Sequence, residues 1–474
     1  MTQLTTIKAT RPENLSRRKF LAGCATCAAC AACPSLAQPA PAAGAEDKAK
    51  VRLVFAHPLK PIEGWPYLNY DYEARKKELT ARLAKACPNI EFLTAAAGGA
   101  EDVKKILEAD QEVDGYVVYI LGIPSQAARG IAAAGRPTIL VDDLYGGTGQ
   151  FLPVYAWARR EKLKVAAVSS TRFEDLAQAV KSFECIKRLG SSVILDVVDR
   201  NPGADAKAIQ EAFGTEVRAV SGAQINEAYQ KADRAEAQKW ANLWIKQAKK
   251  IIEPSREEIS KSGIMYIAMR DLMQENKARA LAIDCLRLFY GGKLAAYPCL
   301  GLFQFNNDGL VGACEADLQS TITMLLMTYL VERPGFISDP VIDTSKNQII
   351  YAHCVAPTKV YGPKGASSPY HIRSHSEDRK GASIRALLPL GEMTSTLKFH
   401  PQRKEVVFHQ GKSVANIDED KACRTKLAVE VKDIDKLLGE WDRWGWHRVT
   451  YYGDLRQPVQ TISALLGFNM VVEG

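Results

Sequence analysis

Short apolar runs alternate with amphipathic patterns over the first third of the chain. The runs have the length and residue types of buried strands, and the stretches between them repeat apolar residues at helical spacing. The predicted strands are Val51–Ala56, Ile90–Leu93, Tyr116–Leu121 and Thr138–Val141, and the predicted helices lie near 71–86, 101–109 and 125–134. This alternation predicts a Rossmann-like parallel α/β lobe over residues 49–162.

The same alternation predicts a second parallel α/β lobe over residues 163–255. Its strands are Val165–Ser169, Val193–Val198 and Val217–Val220, its helices lie near 173–188 and 206–213, and one long helix carries an apolar stripe from Ile225 to Ala248. Neither lobe has a phosphate-binding signature. The segment 146–149 (Gly-Gly-Thr-Gly) follows a strand but lacks the G-x-G-x-x-G spacing and a helix behind it, so we predict a turn there.

The pattern changes after about residue 255. Helical patterns at 255–261 and 267–290 precede a region of strand-like runs, which are Gln348–Val355, Ala386–Leu390, Thr394–Phe399, Glu405–His409 and Leu427–Val431, and a last helix lies near 457–467. Residues 256–474 are therefore predicted to form an α+β domain rich in antiparallel pairing. The fold class is α/β, with two parallel lobes followed by this domain.

Composition and charge set limits on the function. The 474 residues are 47% hydrophobic and 24% charged, which excludes a disordered or collagen-like chain. The formal charge is +8, but residues 1–37 contribute five cations and one anion, so the remainder carries only +4. This small, dispersed surplus argues against a nucleic-acid partner. No later segment has about 18 consecutive apolar residues, so we expect a soluble mature chain.

The first 37 residues have the pattern of a removable export signal. Residues 16–21 (Ser-Arg-Arg-Lys-Phe-Leu) match a twin-arginine signature, and an uncharged run of small residues follows it. Cys24, Cys27, Cys30 and Cys33 are interpreted as small hydrophobes in this leader rather than as metal ligands. We expect export through the twin-arginine translocase to the periplasm, with 38–48 as a linker. A lipid anchor at Cys24 is the alternative.

Four residues of the last domain could carry chemistry. Glu315 precedes an apolar helical pattern, Asp339 precedes Pro340 in a predicted loop, His353 ends a strand run, and His447 follows an aromatic cluster. Each has a structural alternative, namely a helix-capping carboxylate, a turn aspartate or a buried histidine in the core. Two carboxylates and one or two imidazoles also suit a hard divalent cation such as Mn²⁺.

Their order and spacing resemble the L-fucose and L-arabinose isomerases. Glu315 stands in a Glu-x-Asp segment, Asp339 follows 24 residues later, and His447 lies in a His…Gly segment before the last helix, as in the fucose isomerases. His353 lies where the arabinose isomerases have a second histidine. The resemblance covers about residues 280–474, and the two preceding lobes agree with the three-domain layout of these enzymes.

The resemblance implies an aldose–ketose isomerase that acts on a monosaccharide. Glu315, Asp339 and His447 would be ligands of Mn²⁺ or another divalent cation, with His353 as a further candidate ligand, and the two carboxylates would double as the acid/base pair. Such a metal acts as a Lewis acid on the enediolate that forms when the proton next to the carbonyl is removed. The resemblance also implies a homo-oligomer.

Weaker candidates surround this set. Trp446 could stack on a sugar, and His375, which lies with His371 in a predicted loop, could contact substrate. Cys285, Cys299, Cys314 and Cys354 have no C-x-x-C spacing, so we predict buried thiols rather than zinc ligands. Other functions remain open: epimerisation, a non-enzymatic periplasmic carbohydrate binder, or a hydrolase or lyase on the same fold. Hydrolysis by paired carboxylates would survive chelation.

Overall fold

A computed structural model describes residues 48–60, 65–123 and 126–474. The predicted twin-arginine signal, its four cysteines and the linker up to residue 47 lie outside the described residues. Within the described part of the chain, no helix is long and apolar enough to cross a membrane.

The first layer is a parallel sheet of five strands in the order β2-β1-β3-β4-β5. The crossover helices cover both of its faces, as parallel pairing requires. The elements are β1 (Ala49–Ala56), α1 (Tyr72–Ala86), β2 (Ile90–Ala97), α2 (Ala100–Ala109), β3 (Gly115–Ile120), α3 (Ala127–Ala132), β4 (Thr138–Asp142), α4 (Thr148–Arg160) and β5 (Val165–Val168).

The second layer is a parallel sheet of four strands in the order β10-β9-β6-β7. Its core is continuous with that of the C-terminal sheet. The elements are α5 (Phe173–Gly190), β6 (Val193–Val197), α6 (Gly203–Phe213), β7 (Glu216–Val220), α7 (Gly222–Lys231), α8 (Arg234–Gln247), β8 (Lys250–Ile251), α9 (Arg256–Glu275), β9 (Ala280–Ile283), α10 (Cys285–Tyr290), α11 (Cys299–Asn307), β10 (Val311–Cys314) and α12 (Leu318–Val331).

The C-terminal sheet has seven strands in the order β15-β18-β11-β12-β17-β16-β19. An additional antiparallel pairing of β15 with β16 closes six of these strands into a barrel-like ring. A small sheet, β14-β13-β8, lies beside it. The elements are β11 (Phe336–Asp343), β12 (Gln348–His353), β13 (Tyr370–Arg373), β14 (Ser383–Ala386), β15 (Met393–His400), β16 (Glu405–Asn416), β17 (Thr425–Val431), α13 (Ile434–Glu440), β18 (Arg448–Tyr452), α14 (Arg456–Leu466) and β19 (Asn469–Val472).

The chain is thus mixed α/β, with parallel sheets before an antiparallel one, but sheet membership differs from the prediction. β5 pairs with β4 and closes the first sheet rather than opening the second. β9 and β10 lie beyond residue 255 and belong to the second sheet. The sequence pattern missed β9 because its four residues, Ala-Leu-Ala-Ile, fit a buried helix as well as a strand and no Gly or Pro precedes them. Residues 267–290 are therefore not one helix.

Other elements also differ from the prediction. The expected helix over 225–248 is two helices, because Asp233 begins a new one by accepting hydrogen bonds from the backbone amides of Ala235 (2.8 Å) and Glu236 (3.0 Å). The strand expected at Ala386–Leu390 ends at Ala386. The segment 146–149 was predicted as a turn without a following helix, but α4 begins at Thr148.

Candidate metal centre

Three of the four predicted ligands lie at one end of three neighbouring strands. Strand β11 lies between β18 and β12, with Ser338 opposite Arg448 and Asp339 opposite Ala352. His353 ends β12, and His447 directly precedes β18. The register therefore brings Asp339, His353 and His447 together, although 108 residues of sequence separate the first from the last.

Asp339 was predicted in a loop and instead belongs to β11. The Asp-Pro pair indicated a loop because proline cannot donate a backbone hydrogen bond. However, β18 pairs only with Phe336–Ser338, so from Pro340 onward that side of β11 is free of ladder bonds. Proline is tolerated at such an edge.

Glu315 reaches these strands from the carboxyl end of the second sheet. It follows β10 and has a φ of 60°, and Ala316 has a φ of 48°. Two successive non-glycine residues in the left-handed region are strained, by about 1–3 kcal/mol each. The backbone amide of Ala316 donates to the carbonyl of Ile283 (3.0 Å), which holds the turn against β9. The strained turn directs Glu315 away from the sheet and towards the strand ends.

The four side chains form a compact group that could hold a metal ion. One candidate ligand atom from each of Glu315, Asp339, His353 and His447 lies within 4.8 Å of all the others. Nε2 of His447 lies 3.1 Å from Oδ1 of Asp339 and 3.3 Å from Oε2 of Glu315. The nitrogens of His353 lie 4.0 Å from each carboxylate.

The polar atoms of this group fit a divalent cation. Nε2 of His353 and Nε2 of His447 are buried, and neither makes a well-formed hydrogen bond with the described residues. A buried, unpartnered nitrogen beside two carboxylates costs free energy unless something binds it. Two carboxylate oxygens and two imidazole nitrogens suit Mn²⁺ and related cations.

Asp317, the aspartate of the Glu-x-Asp segment, orients His447. Its Oδ2 accepts from Nδ1 of His447 (2.9 Å) and from Nζ of Lys398 (2.8 Å), and its Oδ1 accepts from the amide of Ser320 (2.9 Å). With Nδ1 held by a carboxylate, the imidazole presents Nε2 to Glu315 and Asp339, as in carboxylate–histidine–metal arrangements. The Glu-x-Asp spacing was the available signal for Asp317, whereas nothing in the sequence indicated Lys398.

The pKa values of these groups follow from burial and charge. Burial acts to raise the pKa of Asp317, but Lys398 and His447 outweigh it and hold that pKa well below its usual value. Burial is likewise opposed at Asp339, where His353, His447 and Trp446 lower the pKa to about 2. Burial would lower the pKa of His447, but the carboxylates around it raise it well above 6.5. A cation bound to Nε2 would replace that proton.

Trp446 and Cys423 complete the surroundings of Asp339. The Trp446 indole donates to Oδ1 of Asp339 (2.7 Å), and its side chain is 58% exposed, so it stands at the open side of the site. Sγ of Cys423 lies 3.7 Å from Oδ2 of Asp339 and 3.6 Å from Nδ1 of His353. Sequence reasoning missed Cys423, which has no motif around it.

The cysteines predicted as buried thiols are free and buried. They are Cys285, Cys299, Cys314 and Cys354. Sγ of Cys285 lies 2.9 Å from Sγ of Cys314, which directly precedes Glu315.

His375 stands apart from the four-residue group. It follows β13, with its side chain 12% exposed and its Nδ1 2.7 Å from Oε2 of Glu377. His371, which was expected in the same loop, instead belongs to β13. The expectation of a loop therefore holds for His375 and is wrong for His371.

Similarity to known enzymes bears on the chemistry of this group. No protein-family model matches the chain. A sulfoquinovose isomerase of Priestia aryabhattai is 26% identical over 312 residues, 63% of this chain and 68% of its own length. One from Alkalicoccus urumqiensis is 22% identical over the same shares. One from Clostridium sp. is 26% identical over 43% of this chain and 46% of its own.

These relatives support a sugar isomerase. They also support the expected enzyme class, an intramolecular oxidoreductase that interconverts aldoses and ketoses. A carbohydrate substrate follows from this similarity. The name sulfoquinovose isomerase describes the substrate of these relatives.

Proposed function

We propose that this protein is an exported, metal-dependent aldose–ketose isomerase. The observation that carries the proposal is the convergence of Glu315, Asp339, His353 and His447, from four separate segments, to within 4.8 Å. Buried imidazole nitrogens without hydrogen-bond partners face two carboxylates in this group. Leaving such atoms unpaired costs free energy, which a bound cation would recover.

Mn²⁺ is the cation we propose for the site. Carboxylate and imidazole ligands favour hard or borderline cations over soft ones. None of the four candidate ligands is a thiolate, which argues against a structural zinc site with four protein ligands. When bound, the cation supplies Lewis-acid stabilisation of negative charge on the substrate oxygens.

The side chains of the site would move the protons. Glu315 and Asp339 are the candidate bases that remove the proton from C2 of the open-chain aldose and return it to C1. Such transfer by a positioned carboxylate contributes about 10²–10⁴-fold. Both carboxylates are about one-fifth exposed, which leaves them open to a substrate. His447 is kept in place by Asp317, and Trp446 offers an exposed indole face at the open side.

Sulfoquinovose is the first substrate to test, because several relatives are named for it. The substrate class that we propose is an aldose with a free carbonyl in its open form. Glucose, fucose and arabinose serve as comparison sugars, since the motif spacing resembles isomerases of the last two.

Proton exchange in D₂O tests the reaction directly. Purified protein with Mn²⁺ is incubated with each sugar, and NMR follows both loss of the C2 proton and appearance of the ketose. We expect both for at least one sugar, abolition by EDTA and restoration by Mn²⁺. Asp339→Asn should be inactive, whereas Asp343→Asn, on the same strand but with its carboxylate bound to Ser345 and Lys346, should match the wild type.

Three outcomes would each reject one part of the proposal. No exchange with any sugar would reject the isomerase, and full activity after complete removal of divalent cations would reject the metal. Activity of Asp339→Asn equal to that of Asp343→Asn would reject the site.

Export and assembly are part of the proposal. Fractionation of cells should place the protein in the periplasm, and changing Arg17 and Arg18 to lysine should retain it in the cytoplasm with residues 1–37 uncleaved. Light scattering should give a homo-oligomer. Folding before export would also load Mn²⁺ away from competing copper and zinc, since Mn²⁺ binds most weakly among the divalent first-row transition metals.

A further inference from the structure

A second group of ionisable side chains lies beside the metal centre and is not used by the chemistry above. It consists of His375, Glu377, Tyr290, Tyr297 and Asp378, here named the His375 cluster. Glu377 Oε2 lies 2.7 Å from Nδ1 of His375 and accepts a hydrogen bond from the Tyr290 hydroxyl (3.0 Å). The Tyr297 hydroxyl donates to Asp378, and its ring lies 5.3 Å from the His375 ring.

Side-chain contacts connect this cluster to the metal centre on two sides. Arg424 donates from Nε to the carbonyl of Ser374 (2.8 Å) and from Nη2 to its hydroxyl (3.1 Å). His375 follows Ser374, and Cys423, which touches Asp339 and His353, precedes Arg424. The contact between Arg424 and Ser374 therefore places His375 near Cys423, which lines the metal centre.

The second connection runs through α10. That helix begins at Cys285, whose Sγ contacts Cys314 beside Glu315, and it ends at Tyr290 of the cluster. Tyr290 is 49% exposed and the Glu377 side chain is 45% exposed, so the cluster is open to solvent on one side. A sugar at the metal centre could extend to it.

We propose that His375, oriented by Glu377, is the general acid that opens the sugar ring before isomerisation. This inference rests on the proposed function, because it concerns the step that delivers the open-chain aldose. Nδ1 of His375 lies 2.7 Å from Oε2 of Glu377, so Nε2 is the ring nitrogen that remains to face a ligand.

The step conserves all atoms and electrons. Nε2–H of His375 gives its proton to the ring oxygen as the bond between C1 and that oxygen breaks. The hydroxyl on C1 loses its proton to a water molecule, and its electron pair forms the C1=O double bond. The product is the open aldehyde with a free hydroxyl, and neutral His375 is reprotonated by solvent.

Electrostatics around His375 favour the acid form. Burial would lower the pKa of His375, but Glu377, Cys354 and Asp378 raise it to about 9. The pKa of Glu377 falls to about 2, chiefly through its contact with His375. The groups that face this pair are Asp378 on the same segment, Tyr290 and Tyr297 around α10, and Cys354 after β12.

Anomer interconversion measures this step apart from isomerisation. Sulfoquinovose labelled with ¹³C at C1 is mixed with Mn²⁺-loaded protein, and exchange between the α- and β-anomer signals is followed by NMR. We expect wild-type protein to accelerate exchange and His375→Ala to lose about 10²-fold of that acceleration, the usual range for a general acid. Imidazole added to His375→Ala should restore part of it.

The matched control is His371→Ala. His371 lies in β13, is surrounded by cations including Arg385 and Lys250, and contacts neither Glu377 nor the metal ligands among the described residues. It should exchange anomers like the wild type and show no response to imidazole. A purely structural role of His375 would not give imidazole rescue.

Each remaining outcome decides the matter. If wild-type protein isomerises sulfoquinovose but His375→Ala accelerates anomer exchange equally, the acid assignment is wrong and the isomerase stands. If wild-type protein does not act on the sugar, the proposed function itself fails for this substrate. Should His375→Ala not fold, Glu377→Gln and the wild-type pH profile decide, since acceleration must fall above about pH 9 as His375 loses its proton.

Discussion

Replacing Asp317 with asparagine would test how strongly the metal centre depends on the carboxylate behind it. The amide keeps one oxygen for the Ser320 amide, so the helix cap survives, because Asn caps as well as Asp. The other oxygen becomes an NH₂ group that faces Nδ1 of His447 and Nζ of Lys398. Both contacts are then lost, since donors meet donors.

The structure sets the size of both effects. Loss of a carboxylate behind a ligating histidine costs about 10–100-fold in metal affinity, or about 1.4–2.7 kcal/mol. Lys398 is only 3% exposed, so it would be left buried without its counter-charge. Breaking such a pair costs about 3–5 kcal/mol of unfolding free energy.

Titration with Mn²⁺, followed through the EPR signal of the free ion, measures the metal affinity. Urea unfolding of the same proteins measures the free energy of unfolding. The matched control is Asp433→Asn. Asp433 also caps a helix, α13, by accepting a hydrogen bond from the Lys436 amide (3.0 Å), and it is not one of the residues of the metal centre. Lys398→Met separates the two effects, since it removes the ion pair and leaves the carboxylate on His447. Asp317→Asn protein that binds Mn²⁺ within two-fold of Asp433→Asn would refute the orienting role.

Three further predictions concern other contacts. Glu473→Gln should lower the free energy of unfolding by about 3–5 kcal/mol in urea, because Arg448 (2.9 Å) is then buried without its counter-charge. Burial opposes ionisation of Glu473, but His409 and Arg448 lower its pKa to about 2. The stability that ionised Glu473 contributes is therefore present above about pH 4.3 and is lost as the pH falls towards 2. Urea unfolding between these pH values should show a smaller loss of unfolding free energy in the variant than in the wild type. A variant with unchanged acid sensitivity contradicts this. Trp446→Phe should raise KM several-fold with a smaller change in kcat, because it removes an indole that is 58% exposed at the open side; an unchanged KM counts against substrate contact. Ala316→Gly should stabilise the protein by up to about 1 kcal/mol and Ala316→Val destabilise it, as thermal unfolding would show, since its φ is 48°; equal stabilities would argue against strain there.

Periodicity was sufficient where an element was regular and where one face was buried. The strands of the first sheet and the last helix follow from it, with bounds that differ by no more than four residues. It failed at β9, where four small or branched residues fit either structure, and at Asp233, whose Asp-x-x-Glu pattern signals a new helix. Sheet membership also failed, because pairing of β5 with β4 is decided by tertiary packing rather than by local sequence.

Candidate ligands were predictable from residue type and spacing, and the structure brings all four together. Their supports were not predictable. Lys398 reaches Asp317 from β15, 81 residues away, and Arg424 reaches Ser374 from 50 residues away. Such contacts depend on the register of the ring of strands, which no local pattern specifies.

The closed ring of strands makes the site an all-or-none property of the fold. Successive side chains of a strand point to opposite faces, so sliding β11 by one residue against β12 would turn Asp339 away from His353. Closure of β15 on β16 means that one strand cannot slide without breaking ladders on both sides. Turnover in a refolding experiment would therefore count correctly registered molecules, whereas helix content or compactness would also count those one step out of register.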